Sequence, residues 1–399
     1  MINFFTIPPV LLEDKLFRTF AVKMKTTEKR KAFQDVHSWF TNRPVFISGP
    51  CSAETEEQVL HTAHDLAKTG RIDIFRAGVW KPRTRPGDFE GVGAEGLKWL
   101  HQVKQETGMR TATEVANPEH VEQALKYDID VLWLGARTVV NPFSVQELSE
   151  ALRGTDKVVL IKNPVTPDLN LWIGALERMY KSNINKLGAV HRGFYLFEKS
   201  PYRNAPMWEI PIELKRSHPE IPVICDPSHI SGTPDYLAEV SQKAMDLAMD
   251  GLMIESHYQP KEALTDRNQQ ITPEFLQNLM DNLVIRKKHG NAAFESQLQH
   301  LRSEIDKLDA EFIQVLGRRM SLTHEIGLYK KDNNITVFQL KRWTEILHQR
   351  LRAGTDQGMD KDFLSQLLKL IHKESIRIQT DIMEQKNPPA SANGKNRGD

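Results

Sequence analysis

The chain has 399 residues, 40% of them hydrophobic, with two cysteines and a formal charge of +1 from Lys+Arg 53 against Asp+Glu 52. That length exceeds one ordinary core and predicts a large domain plus a smaller one, while the near-neutral charge excludes nucleic-acid binding through an overall basic field. No apolar run of about 18 residues offers a membrane span, and the opening MINFFTIPPVLLEDKLF lacks the basic flank and cleavage site of a signal peptide, so a cytoplasmic protein is expected, with its cysteines serving as ligand, catalyst or core filler rather than as a disulfide.

Residues 1–40 read as an N-terminal extension, the first 25 or so as a loosely packed arm. From Pro44 onward, short apolar runs alternate with amphipathic helical stretches: PVFISG from Pro44, DIFRAG from Asp73, MRTATEV from Met109, VLWLGA from Val131, VVLIKN from Val158, GAVHRG from Gly188, PVICDPSH from Pro222 and GLMIES from Gly251. Such alternation is the grammar of repeated β-α units, and eight is the number that closes a parallel barrel. The fold expected over 41–286 is therefore an α/β (β/α)8 TIM barrel, whose chemistry sits on the loops after the strands.

The residues ending these runs are unusual: Cys51; Arg76 with Lys81-Pro82-Arg83-Thr84; Glu114; Arg137; Lys162; His191-Arg192; Asp226 with His229; and Glu255 with His257. Singly, each reads as a solvated loop charge. Charges scattered by chance would fall at both strand ends, whereas here lysines and arginines gather at one end of four strands. Closure makes the first, seventh and eighth strands neighbours, so Cys51, His229, Glu255 and Asp266 can meet. A thiolate, an imidazole and two carboxylates suit Mn2+, Fe2+, Co2+ or Zn2+ better than Mg2+ or Ca2+. Cys225 reads as core filler, because its neighbour Asp226 faces the other side of the strand. The cations Arg76, Lys81, Arg83, Arg137, Lys162 and Arg192 call for small, multiply anionic ligands, with two phosphorylated molecules expected.

RKKHGNAAFES marks a linker, placed at 287–296, and a small all-α helical domain is expected over 297–386. Leu298, Leu301, Ile305, Leu308, Phe312, Val315, Arg319, Leu322, Ile326 and Tyr329 follow at steps of three and four, one seam on a helix roughly 50 Å long. Such a seam calls for a partner chain. Helices around 337–351 and 360–384 follow, then a tail, 387–399, of disordered composition. Arg319 interrupts the seam, and a buried guanidinium needs an anion beside it. Arg302, Lys330, Arg342 and Gln379 extend the polar set.

GPCSAE, RAGVWKPRT, GAR, IKNP, HRG, DPSH and ESH followed by ALTD together resemble the metal-dependent 3-deoxy-D-arabino-heptulosonate 7-phosphate (DAHP) synthases of the type I, short barrel-only subfamily, over about residues 40 to 286. The resemblance implies that Cys51, His229, Glu255 and Asp266 bind the metal. It implies that Arg76, Lys81, Arg137, Lys162 and Arg192 bind phosphoenolpyruvate, and that Lys81, Pro82, Arg83 and Thr84 bind D-erythrose 4-phosphate, with Arg203 a further candidate for its phosphate. Lys81, His229 and Cys51 are then the catalytic group. A sister family that uses arabinose 5-phosphate usually carries Lys-Ala-Asn-Arg where this chain has Lys-Pro-Arg-Thr.

The last region resembles the all-helical chorismate mutases, intertwined dimers, across about residues 297 to 386. By that resemblance Arg302, Arg319, Lys330, Gln339, Arg342 and Gln379 bind chorismate, Arg302 reaching into the partner's site, and Lys330 with Gln379 are catalytic. Gln339 and Trp343 depart from the Asp and Glu usual around the fourth cation. The whole is expected to be a bifunctional enzyme, homodimeric through the helical domain. No separate regulatory domain of recognisable length precedes the barrel, so the helical domain is the expected sensor for feedback by prephenate or chorismate. The alternative is a helical domain that only senses ligand and dimerises.

Overall fold

The computed structural model describes residues 33, 36, 38–40, 44–81, 87–197, 200–287 and 290–384. The chain divides into two compact units, Met1–Lys288 and His289–Asp399. The first 32 residues and the tail lie outside the described residues.

In the first unit, strands β1 (Val45–Gly49), β2 (Ile74–Arg76), β3 (Arg110–Val115), β4 (Val131–Leu134), β5 (Val158–Lys162), β6 (Leu187–His191), β7 (Val223–Cys225) and β8 (Gly251–Glu255) lie within or against the eight apolar runs read from the sequence. All pair in parallel with their neighbours, and β8 returns to β1 with Gly49 opposite Glu255, closing the barrel. Between and after them run α1 (Glu56–Lys68), α2 (Ala94–Thr107), α3 (Pro118–Lys126), α4 (Ala136–Val139), α5 (Pro142–Ala151), α6 (Leu169–Lys181), α7 (Glu209–Ser217), α8 (Pro227–Ser231), α9 (Leu237–Asp246) and α10 (Pro273–Asn282).

Local chemistry starts these helices where the strands release the chain. Thr55, Asn117, Asp168 and Thr272 each accept a backbone N–H at a helix start, and Pro opens α3, α5, α8 and α10. The strands are buried on both faces, which is why they read as continuous apolar runs rather than alternating ones. One core lies between strands and helices; a second fills the barrel with Val45, Ile47, Ile74, Val131, Trp133, Leu160 and Met253.

Trp39 belongs to that inner core. Its indole Nε1 donates to Leu187 O at 2.9 Å, and Arg110 Nη1 donates to Trp39 O at 3.0 Å, both at the N-terminal ends of strands. Phe33, 3% exposed, packs edge-on against Tyr180 and His218. Trp39, within the segment expected as an extension, thus lies on the floor of the barrel, where an open end would leave apolar side chains in water.

The second unit holds α11 (Ala292–Asp332), α12 (Leu340–Thr355) and α13 (Lys361–Glu384). Within the segment expected as linker, Asn291 accepts the N–H of Phe294 at 2.8 Å and starts the helix at Ala292. At 41 residues, α11 is about 60 Å long. The middle helix starts at Leu340 rather than Val337, because Gln339 is extended and Val337 O accepts Lys330 Nζ at 2.6 Å. Gly327 lets α11 meet α13 closely, since a Cβ there would lie 2.6 Å from Ile382 Cδ1. Of the α11 side chains, only Thr323 and Gly327 are buried, while Leu301, Ile305, Leu308, Phe312, Val315, Leu322 and Ile326 stay exposed along the seam.

If Trp39 closes the barrel, Trp39→Ala should cost about 3–5 kcal/mol. Calorimetry of the full chain should show the barrel transition moved to lower temperature with the helical transition unmoved.

Candidate active site

Gly49 ends β1 at φ +149, and a Cβ there would fall 2.1 Å from Arg76 O. Only glycine allows that approach of β1 to β2. Pro50 follows, and Cys51 comes over the mouth, 1% exposed, with its N–H donated to Gln270 Oε1 at 2.9 Å. Its thiol lies 3.4 Å from Asp266 Oδ2 and receives Lys81 Nζ at 3.0 Å. Cys51, Glu255 and Asp266 offer donor atoms that all lie within 4.8 Å of one another. Glu255 is held at both oxygens, by Arg76 Nη1 and by Gln269 Nε2, each at 2.7 Å. Asp266 adopts a left-handed backbone, φ 45, an uncommon conformation for a residue other than glycine, and Arg203 Nη1 reaches its Oδ1 at 3.0 Å.

His229, expected as a fourth ligand, stands outside that group of three. Its Nδ1 lies 2.9 Å from Asp226 Oδ2 and 3.9 Å from Glu255 Oε1. Asp226 as acceptor sets the proton on Nδ1 and leaves the Nε2 lone pair for a metal. Burial and Glu255 push the Cys51 thiol up to about 12. Burial opposes ionisation of Asp266 and Glu255 as well, yet Arg203 and His229 hold Asp266 well below the usual carboxylate range, and His229 with Arg76 lower Glu255. One sulfur and two ionised carboxylates, with an imidazole beside them, fit a divalent transition metal, whose binding would release the thiol proton.

Cations surround this cluster. Arg76, 1% exposed, lies over the Trp133 ring at 4.8 Å, and Lys162 Nζ lies 5.7 Å from the same ring. Lys162 Nζ also meets Asp226 Oδ2 at 3.0 Å. Arg192 donates its N–H to Asn163 Oδ1 and its guanidinium to Asn204 Oδ1. Burial lowers the Arg192 pKa, Asp226 opposes this, and Arg203 and Arg137 lower it further. Positive groups pressed together in this way are relieved by a bound anion. Arg203 and Asp266 also line a cavity of about 420 Å³ with Gly232, Arg267, Asn268 and Gln269. Lys81 is in place, whereas Pro82, Arg83 and Thr84 lie outside the described residues.

Sequence reasoning missed how much Asp226 does. It caps α8 through the His229 N–H and joins Lys162 to His229. The signal was there in DPSH, an Asp three residues before a His, which is helix-capping spacing. Gln269 and Gln270, which hold Glu255 and Cys51, carried no such signal.

In the helical unit, Arg319 Nη1 donates to Ser375 Oγ at 2.7 Å. Among the described residues its partner is thus a neutral hydroxyl, and the guanidinium is half-buried. Burial and Arg350 lower its pKa. Gln379, 7% exposed, donates Nε2 to Ser375 O at 3.1 Å, while its Oε1 has no partner. Arg302, Gln339 and Arg342 are exposed, and the nearest acid to Arg342 is Glu345 at 3.7 Å. Trp343 stacks on His372, ring centroids 3.8 Å apart and 10° from parallel.

Residues 24–289 match the description "DAHP synthetase I family". The chain belongs to that family. Residues 301–380 match "Chorismate mutase type II", so a DAHP synthase barrel is followed by a chorismate mutase region, both enzyme domains. A phospho-2-dehydro-3-deoxyheptonate aldolase of Thermotoga maritima is 31% identical over 59% of this chain and 68% of its own length. Its crystal structure superposes with a TM-score of 0.55, at 28% identity, over 60% of this chain and 68% of that one. A 2-dehydro-3-deoxyphosphooctonate aldolase of Wolinella succinogenes is 27% identical over 60% of this chain and 98% of its own. A 4-amino-4-deoxychorismate mutase of Streptomyces venezuelae is 29% identical over 23% of this chain and 90% of its own.

Two outcomes follow for this mouth. Asp226→Asn removes the carboxylate charge that orients His229 and should weaken metal binding about 10- to 100-fold, read by Mn2+ titration with paramagnetic resonance. His191, enclosed by Trp208 and Phe194, is pushed down to about 3 by burial. Its folded pKa lies below the unfolded value near 6.5, so the stability it contributes is complete above about pH 6.5. That contribution is lost towards pH 3 at about 1.4 kcal/mol per unit. His191→Phe should flatten that slope in urea unfolding measured at stepped pH.

Proposed function

We propose that the barrel condenses phosphoenolpyruvate with D-erythrose 4-phosphate to DAHP and phosphate, and that the helical unit rearranges chorismate to prephenate. The observation that carries the barrel reading is the meeting of Cys51, Glu255 and Asp266 at one mouth with buried Arg76 and Lys162. Arg76, Lys81, Arg137, Lys162 and Arg192 supply the positive charge for the carboxylate and phosphate of phosphoenolpyruvate. Arg203 and its cavity suit the aldose phosphate. Cys51, Glu255, Asp266 and His229 would hold a divalent ion, Mn2+, Fe2+, Co2+ or Zn2+, which supplies Lewis-acid polarisation of the aldehyde carbonyl. Lys81, at the Cys51 thiol, is placed to give a proton to the oxygen that gains charge as the enol carbon adds. Water addition at C2 then releases phosphate.

In the helical unit, Arg319 with Arg342 and a second chain's copy of the Arg302 position would clamp the two carboxylates, and Lys330 with Gln379 would stabilise charge developing on the ether oxygen. The exposed apolar seam of α11 supports a homodimer through this domain. No described helix is long and apolar enough to cross a membrane, and the substrates of this reading are cytoplasmic metabolites. The two reactions lie several steps apart, so the value of joining them is control: prephenate or chorismate bound to the helical unit restrains the barrel.

Cys51→Ala tests the core of this reading. Metal content should fall and condensation should drop about 100-fold or more, as for loss of several kcal/mol of charge stabilisation. An unchanged rate at unchanged metal content would sink it. Arabinose 5-phosphate offered in place of erythrose 4-phosphate should be turned over poorly; the reverse preference would favour the octulosonate reading that the Wolinella relative suggests. Added prephenate should slow the wild-type condensation.

A further inference from the structure

One face of α13 carries a polar stripe. His372, Ser375 and Gln379 follow at steps of three and four, so they share that face. Ser375 is 5% and Gln379 7% exposed, and Ser375 receives Arg319 from α11. Two atoms of the stripe, His372 Nε2 and Gln379 Oε1, are buried without a hydrogen-bond partner. Leaving a buried polar atom unpaired is costly, and two in one stripe facing cations of α11 mark a place where something polar binds.

The imidazole is fixed in direction. Trp343 of α12 stacks on it face to face, and the Phe338 ring lies 6.0 Å from it. The sequence departure at Trp343 and the unpartnered imidazole are therefore one feature: the indole takes the place of a carboxylate and holds a different hydrogen-bonding group against the site. We propose that His372 contacts the substrate of the helical site, its Nε2 hydrogen-bonding the ring hydroxyl of the dicarboxylate whose charges Arg319 and Lys330 balance. This rests on the mutase reading above. Burial, Arg319 and Lys330 lower the His372 pKa, so the imidazole is neutral at pH 7. Cations are matched to the carboxylates, and a neutral nitrogen, able to donate or accept, is matched to an uncharged oxygen that can do both.

His372→Phe in the full chain keeps an aromatic ring against Trp343 and removes the nitrogen. With chorismate, kcat/KM should fall about 3- to 10-fold, the worth of one neutral hydrogen bond. Calorimetric binding of two bicyclic dicarboxylates that mimic the rearranging substrate, one with and one without the hydroxyl, provides the second readout. His372→Phe should weaken the hydroxylated mimic by the same factor and leave the other unchanged, and His372→Gln, whose amide extends towards the Nε2 position, should recover part of the difference. Equal weakening of both mimics, or of neither, overturns the assignment. Absence of chorismate turnover by the wild type together with retained, hydroxyl-dependent mimic binding would defeat the mutase reading and leave His372 as a ligand contact. Failure of the wild type to bind either mimic would overturn both.

Discussion

The barrel mouth depends on one buried ion pair. Arg76 and Glu255 meet at 2.7 Å with side chains 2% and 1% exposed. Neither charge could stand there alone, since removing one partner of such a pair costs about 3–5 kcal/mol. Burial works against the Arg76 charge and Glu255 restores it, while His229 and Arg76 together keep Glu255 ionised. The pair therefore fixes a carboxylate, already charged and already aimed, beside Cys51 and Asp266. Gly49 makes the pair reachable by letting β1 close on β2, and the Trp133 ring below Arg76 completes its surroundings.

From that pair outward, the mouth holds its charges in two ways. Arg76, Lys162 and Arg203 each face an acid, Glu255, Asp226 and Asp266 in turn. Arg192 instead faces the neutral Asn204 and feels Arg203 and Arg137. The paired cations orient donors; the ill-matched one invites an anion. In the helical unit Arg319 and Lys330 likewise lie on neutral groups, a hydroxyl and a backbone carbonyl. A net charge of +1 conceals this segregation entirely.

The barrel was legible because parallel strands buried on both faces must be apolar throughout, and because every strand presents its chemistry at the same end. Cys51, Glu255 and Asp266 could be gathered from closure alone. What escaped was set by side-chain reach. That Trp39 plugs the floor, that Asp226 ties Lys162 to His229, and that Arg319 settles for Ser375 each depend on rotamers and on elements distant in the chain. Trp343 read alone was only a departure from the usual acid; the ring it stacks on, His372, lies twenty-nine residues later, on a different helix. The start of α11 at Ala292 was masked by composition, since small residues after a charged run read equally well as linker.

The proposed helical site differs from the barrel cluster in calling for a second chain. The barrel cluster is assembled by closure of β8 on β1, and every donor comes from the same unit. On α11, by contrast, Arg302 stands about 25 Å along the helix axis from Arg319 and farther still from Lys330. An arginine side chain spans only a fraction of that, and a straight helix cannot fold back. If Arg302 serves the same dicarboxylate as Arg319, it must do so from a second copy of α11 running in the opposite direction. The exposed leucines and isoleucines between the two arginines are where such a copy would lie. The apolar seam and the stranded cation are then consequences of a single requirement, that the site be built by two chains.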